Sequence, residues 1–200
     1  DVYKRQWEWY HRAETGGGPL SDMFVYPLAF LADTFGKVSA AAAHGRLVEP
    51  RIEWRGKTVS ANTEDAYSGS ILFGDIPATF RASFSANSSR SPWGFVSIRG
   101  TAASLDIEKR NDLEYSIYVT PNEGNARKED LPVFDALERE KLGAAECHVI
   151  VDIREFVDAV CDDRDVTGAT PSNAALTVDG LNLIRASARN GGALQKAEQS

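Results

Sequence analysis

The sequence predicts an α+β domain, with one β-sheet and helices gathered at its start and end. After Pro50 the chain carries short runs of β-forming residues separated by turn residues such as Gly74-Asp75. Residues 78–85 alternate strictly between apolar and polar side chains, which is typical of a strand with one buried face. Helical apolar spacing occurs before these runs and again near the end of the chain.

The elements are expected in the following order. Residues 7–12 are predicted to be a strand or extended, and residues 19–34 a helix with a kink or early break at Pro27. Six strands follow, at 52–54, 66–73, 78–86, 95–99, 104–108 and 115–119. After a charged loop at 121–130, helices are predicted at 133–142, 147–161 and 172–190, the last ending at Gly191-Gly192.

Composition narrows the class of protein. The 200 residues suffice for one well-buried domain or two small ones, and 42% of them are hydrophobic. The net charge of −7 and the pI near 5.0 argue against a nucleic-acid partner. The chain has no apolar run of about 18 residues, so no membrane span is predicted. Cys147 and Cys161 indicate free thiols of a reducing, cytoplasmic setting, although a disulfide between them stays open.

The stretch from Thr15 to Tyr26 is where chemistry is expected. Gly16, Gly17 and Gly18 open backbone conformations closed to other residues, and the proline that follows suits a first helical turn. Asp22 and Tyr26 are four residues apart and therefore lie on one face of the predicted helix. A carboxylate beside a phenol is suited to proton transfer or to hydroxyl recognition.

The same stretch resembles the opening of the C-terminal domain of the Gfo/Idh/MocA oxidoreductases, Gly-Gly-Gly-x-Leu-x-Asp-x-Gly-x-His. This chain has the three glycines, the leucine and the aspartate, but Phe24 replaces the family glycine and Tyr26 the family histidine. Some branches resemble this chain in carrying an Asp-Met-x-x-Tyr version. Three later segments also resemble the family: Thr63-Glu64-Asp65, Ile98 to Leu105, and Arg154 to Val160.

The resemblance implies an open, largely antiparallel mixed β-sheet with helices on one face. It places the first strand at residues 37–47, which propensity alone would also allow to be helical. It implies that Asp22 orients substrate hydroxyls near a nicotinamide and that Tyr26 stands where the family has a proposed acid/base. It also implies that a lysine from a separate dinucleotide-binding domain takes part.

Other residues are weaker candidates. Trp9, Tyr10 and Arg12 are expected to border a substrate pocket, because aromatic faces suit sugar rings and arginine suits hydroxyl or carboxylate groups. Packing at a sheet edge explains them equally well, and Trp93 is a further pocket-rim candidate. Gly17 and Gly18 are expected to shape the floor of the site. A dinucleotide fingerprint is absent from the chain, and the scattered histidines have no metal-ligand spacing.

The domain organisation follows from the resemblance. Residues 1–6 resemble the translation of a sequencing-library adapter and are expected to be an artefact. Residues 7–192 are expected to be the substrate-binding and dimerisation domain, and residues 193–200 a tail. The dinucleotide-binding Rossmann domain is then expected to precede them in the intact protein.

The resemblance thus predicts the substrate-binding half of an NAD(P)-dependent oxidoreductase that acts on a sugar, cyclitol or related polyol. NAD or NADP would be bound mainly by the other domain, and the chain alone would be inactive. A homodimer or higher even oligomer through the sheet is expected. Two alternatives remain: an NAD-dependent glycosidase of the same fold, and a non-catalytic binding or assembly domain.

Overall fold

The computed structural model describes residues 8–54, 56–84, 95–111, 114–132, 147–166 and 170–198. These residues fall into two compact units, one built from residues 1–87 and 171–200 and the other from residues 88–170. The predicted α+β class is confirmed. Every strand pair in the described part of the chain is antiparallel.

The first unit is built on a four-stranded sheet in the order β10-β1-β4-β5. Its strands are β1 (Val38–Arg46), β4 (Ala66–Phe73), β5 (Ile76–Ser83) and the two-residue β10 (Gln195–Lys196). A separate hairpin pairs β2 (Arg51–Trp54) with β3 (Lys57–Ser60). Strand β3 was not predicted, because its four residues include one apolar side chain.

Two helices of the first unit cover one face of this sheet: α1 (Val25–Phe35) and α3 (Pro171–Arg189). The most deeply buried large side chains of this core are Leu20, Leu28, Ile71 and Ile184. Gly180 of α3 lets the helix approach β1 closely, since a Cβ there would lie 2.9 Å from Val38 Cγ2. The helices are therefore fixed to one side of the sheet.

The other face of this sheet carries small and polar side chains. Residues that pair across antiparallel strands share a face, and on this face His44 pairs with Ser68, which pairs with Arg81. All three are exposed. The predicted alternation of residues 78–85 is confirmed as far as residue 83, because Phe80 and Ala82 are buried while Thr79 and Arg81 are exposed.

The second unit contains a four-stranded sheet in the order β6-β7-β8-β9. Its strands are β6 (Phe95–Arg99), β7 (Ala103–Asn111), β8 (Glu114–Pro121) and β9 (Arg127–Pro132). The prediction that residues 121–130 form a loop is wrong for residues 127–130, which belong to β9. Charged side chains are common on edge strands, where they discourage pairing with other chains, so charge alone did not exclude a strand.

Helix α2 (Cys147–Cys161) of the second unit has the predicted bounds. Its charged residues Arg154 and Asp158 are exposed, and Arg164, just after the helix, forms a two-pronged ion pair to Glu155 at 2.8 and 3.0 Å. Cys161 is a free, exposed thiol. The helix predicted at 133–142 and the pocket-rim candidate Trp93 lie outside the described residues.

The segment before the glycines is not the predicted strand. Residues 8–10 are helical, and backbone hydrogen bonds run from His11 N–H to the Glu8 carbonyl and from Arg12 N–H to the Trp9 carbonyl. A 3-10 turn follows at Ala13–Thr15. Folding the chain back on itself brings the carbonyl groups of this segment within reach of the glycine N–H groups, which an extended strand would not do.

The helix after the glycines begins irregularly. Leu20–Phe24 form a π-helical turn and α1 continues from Val25 to Phe35. Instead of the expected kink or break at Pro27, the chain changes from π-helix to α-helix at Val25, two residues earlier. Pro27 lies in the first turn of α1, where the N–H that it lacks matters least.

Within the described residues, no helix combines the length and the apolar character needed to cross a bilayer.

Candidate functional site

The three glycines form a tight backbone turn that the helix start requires. Gly16 and Gly18 have φ angles of 75° and 99°, in the region that favours glycine. Gly17 N–H donates to the Arg12 carbonyl at 2.9 Å, and Gly18 N–H donates to the Tyr10 carbonyl at 2.8 Å. The Gly18 carbonyl then accepts from the Asp22 N–H at 3.3 Å. The loop thereby fixes the segment 10–12 against the first turn of the helix.

Gly17 is needed for space rather than for its backbone angles. A Cβ at this position would lie 2.5 Å from the carbonyl oxygens of both Trp9 and Tyr10. A Cβ on Gly18 would lie 3.1 Å from the Glu64 carbonyl oxygen. Both glycines are buried and support the site from behind instead of lining its cavity.

A cavity of about 300 Å³ lies in front of this turn. This volume is at the small end of the range for ligand pockets and suits a small molecule. Its lining includes three acidic residues, Asp22, Glu49 and Asp65, and two apolar residues, Ile52 and Phe84. Tyr10 and His11 complete its lining.

Asp22 is half-buried in the cavity, and burial raises the pKa of its carboxyl above the ordinary range. Tyr10 lies close enough to Asp22 for the charge of Asp22 to affect the pKa of its phenol. Burial first, and then the charges of Asp22 and Tyr26, raise the pKa of the Tyr10 phenol. The structure therefore brings together two of the predicted site residues, Asp22 and Tyr10, on the cavity wall.

Tyr26 lies on the same helix but outside the cavity lining, with 72% of its surface exposed. The Phe24 that precedes it points the other way, into the core, where its ring stacks on Phe80 at a centroid distance of 4.7 Å. The phenylalanine that replaces the family glycine thus has a packing role, while the tyrosine that replaces the family histidine faces outward.

The remaining predicted pocket residues lie at the rim. Trp9 is 41% exposed and its ring meets the edge of the Tyr10 ring at 5.3 Å. Arg12 forms an exposed ion pair with Glu14 at 3.5 Å and does not line the cavity.

Three polar residues of the cavity were not predicted: His11, Glu49 and Asp65. Asp65 is 2% exposed, and its carboxylate oxygens accept hydrogen bonds from the Val48 and Glu49 N–H groups, both at 2.7 Å. Burial lowers the pKa of His11, although the charges of Asp65 and Glu49 oppose that shift. The imidazole is therefore neutral at pH 7.

The sequence held a weak signal for one of these residues. Asp65 follows Thr63-Glu64 directly before a strand, a position where a buried carboxylate can cap backbone N–H groups. His11 and Glu49 lie in irregular segments whose path depends on tertiary contacts. Across the part of the chain that the structure describes, no three residues among His, Cys, Asp and Glu gather to hold a metal ion.

Comparison with known proteins places this chain in a family. The model of the GFO/IDH/MocA C-terminal domain matches residues 1–106, more than half of the chain. The chain therefore belongs to the GFO/IDH/MocA C-terminal domain family. No curated protein matches the chain.

Solved structures extend the likeness to the rest of the fold. An NAD-binding oxidoreductase from Klebsiella pneumoniae matches with a TM-score of 0.73 and 15% identity over 96% of this chain and 54% of its own. Levoglucosan dehydrogenase in complex with NADH matches with a TM-score of 0.72 and 15% identity over 96% of this chain and 54% of its own. The transcriptional regulator Gal80p from Kluyveromyces lactis matches with a TM-score of 0.69 and 14% identity over 94% of this chain and 48% of its own.

These identities establish a shared fold and no more. The chain spans about half the length of the structures that it matches. Both oxidoreductases and a transcriptional regulator occur among them, so the fold is compatible with catalytic and non-catalytic proteins.

Proposed function

We propose that this chain is the substrate-binding half of an NAD(P)-dependent oxidoreductase that acts on a sugar, cyclitol or related polyol. The observation that carries the proposal is the cavity in which Asp22 and Tyr10 meet, directly after a glycine turn that matches the family motif. Levoglucosan dehydrogenase, which shares the fold, is known in complexes with levoglucosan and with L-sorbose, and both are polyhydroxylated rings.

Asp22 is the proposed catalytic residue. Oxidising a secondary alcohol requires the carbon to lose a hydride and the hydroxyl to lose a proton, leaving a carbonyl group. A nicotinamide dinucleotide supplies the hydride acceptor when it is bound. The Asp22 carboxylate accepts a hydrogen bond from the substrate hydroxyl, and its raised pKa makes it a better proton acceptor than an ordinary aspartate.

Tyr26 is proposed as a second polar group of the same site. A phenol O–H is a hydrogen-bond donor, so donating a hydrogen bond to a substrate oxygen is the role proposed for it. Its 72% exposure fits a position that a further domain covers. Trp9, Tyr10 and Arg12 are proposed to border the substrate, with Gly17 and Gly18 holding the floor.

The proposal requires a dinucleotide-binding domain in the intact protein. The matched structures are about twice the length of the region they share with this chain, which supports such a second domain. The chain alone is then inactive, and the choice between NAD and NADP is made by that domain. A cytoplasmic location completes this part of the proposal.

A homodimer, or a higher even assembly, is proposed through the uncovered face of the first sheet. That face is polar and open, with Ser68, Ser70, Thr79 and Arg81 all exposed. It suits the moderately polar interface of a dimer that forms from folded subunits.

Two alternatives belong with the proposal. An NAD-dependent glycosidase would use the same cavity for transient oxidation, elimination and re-reduction. A non-catalytic binding or assembly domain is favoured by the outward-facing Tyr26 and by the likeness to the regulator Gal80p. The two catalytic options share Asp22, whereas the third does not need it.

NADH formation tests the proposal. The intact protein containing this chain is incubated with NAD or NADP and a panel of neutral sugars and cyclitols, with the 200-residue chain alone as the control. Substrate-dependent nicotinamide reduction by the intact protein, and none by the chain alone, is expected. Hydrolysis of aryl glycosides that depends on NAD without net reduction would favour the glycosidase, and no turnover with any substrate would favour the binding domain.

A further inference from the structure

The described lining of the cavity carries an unbalanced negative charge. Its acidic residues are Asp22, Glu49 and Asp65, and none of the described residues that line it is a lysine or an arginine. Its histidine is buried and neutral, and the nearby Arg12 is paired with Glu14 outside the cavity. Along the described lining, a bound ligand therefore meets negative charge without a compensating lysine or arginine.

Glu49 is the most exposed of the three acidic residues that line the cavity. The Asp65 carboxylate is occupied by two backbone N–H groups, and Asp22 is half-buried. Glu49 is exposed at the cavity, where its carboxylate is open to water and to a bound molecule. Its main chain is fixed, since its N–H donates to Asp65 Oδ2 at 2.7 Å.

We infer that Glu49 is a specificity-determining residue that admits neutral polyhydroxylated rings and rejects their carboxylated counterparts. Like charges brought together at a binding site cost several kcal/mol when they are desolvated, and less where water screens them. A carboxylate acceptor also favours hydroxyl donors over a second carboxylate. The inference rests on the proposed function, because it assigns the substrate class of the same cavity.

Matched pairs of sugars test this directly. The probes are glucose with glucuronate, galactose with galacturonate, and mannose with mannuronate, each pair differing in a hydroxymethyl or carboxylate group. Each probe is titrated into the full 200-residue chain, labelled with ¹⁵N, and dissociation constants are taken from amide shifts around the cavity.

We expect the neutral member of at least one pair to bind at least about tenfold more tightly than the acid. Glu49→Gln keeps the size of the side chain and removes its charge, and it narrows that ratio by about threefold or more. Asp75→Asn is the matched control. Asp75 is exposed in the β4–β5 turn, roughly 25 Å along the hairpin from the cavity end, so it removes the same charge without touching the site.

The inference is overturned if the acids bind as tightly as the neutral sugars, if Glu49→Gln leaves the ratio unchanged, or if Asp75→Asn changes it equally. It is also overturned if no neutral sugar binds. These outcomes are separate from failure of the proposed function, which is judged by turnover of the intact protein. If the intact protein oxidised uronates and neutral sugars equally, the proposed function would stand and the specificity role of Glu49 would be excluded.

Discussion

The carboxylate of Asp65 accepts the backbone N–H of Glu49 at 2.7 Å, and this contact fixes the segment after β1 at the edge of the cavity. The second carboxylate oxygen holds the neighbouring Val48 N–H at the same distance. Asp65 is 2% exposed, so its negative charge is stabilised by these donors rather than by water. A structural carboxylate thus positions the acidic residue that a ligand meets.

Replacing Asp65 by alanine is predicted to lower the free energy of unfolding by about 3 kcal/mol, because the Val48 and Glu49 N–H groups lose two part-buried, charge-assisted hydrogen bonds. Urea unfolding followed by tryptophan fluorescence measures this. Asp75→Ala, at an exposed turn, is the control and is expected to stay within about 0.5 kcal/mol of the wild type. Equal stability of the two variants would show that the two hydrogen bonds to the Asp65 carboxylate do not stabilise the fold.

Gly17→Ala and Gly16→Ala separate two reasons for glycine in the turn. A Cβ on Gly17 collides with two carbonyl oxygens, whereas a Cβ on Gly16 meets no atom within 4 Å but requires an unfavourable φ of 75°. We predict a loss of about 1 kcal/mol for Gly16→Ala and of about 3 kcal/mol for Gly17→Ala. Thermal unfolding of both variants checks this order, and the reverse order would contradict the packing of Gly17 against residues 9–10.

Asp22→Asn is predicted to stabilise the fold slightly at neutral pH. Burial raises the folded-state pKa of Asp22 above its unfolded value near 4, so ionising it costs free energy in the folded state. The wild type therefore loses stability as the pH rises from the unfolded pKa through the raised folded pKa. The variant does not, and its melting temperature at pH 7 is expected to be higher by up to about 2 °C.

The same variant should match the wild type at a pH below the unfolded pKa of Asp22, where both side chains are neutral. Melting curves recorded from pH 3 to pH 8 test this, with Asp33→Asn as the control for loss of one charge on α1. A stability difference that is constant across this range would rule out the titration of Asp22 as its cause.

Much of the fold followed from local sequence signals. The alternation in residues 78–85 fixed which face of β5 is buried, and the bounds of α2 and β4 were predicted to the residue. Turn residues such as Gly74 and Gly191 set the ends of their elements, because their positive φ angles favour glycine. Where a periodic pattern is long, or a turn requires glycine, the local sequence preference and the tertiary packing favour the same structure.

The missed features depend on tertiary contacts. Residues 7–12 have β-forming aromatic side chains, yet residues 8–10 are helical because the glycine turn needs the carbonyl groups of Tyr10 and Arg12. The site was predicted only in part for the same reason. Asp22 belongs to a motif, but Glu49 and His11 reach the cavity through irregular segments that Asp65 and the aromatic Phe84 hold in place.

Steady-state turnover of the intact protein tests whether the cavity at Asp22 forms the substrate half of an oxidoreductase site, as proposed. Asp22→Asn is compared with Asp33→Asn, a charge change at an exposed position of the same helix. We expect kcat to fall by about 100-fold or more for Asp22→Asn, with the fold at least as stable, and to be unchanged for Asp33→Asn. Unchanged turnover in Asp22→Asn would rule out the catalytic role proposed for Asp22.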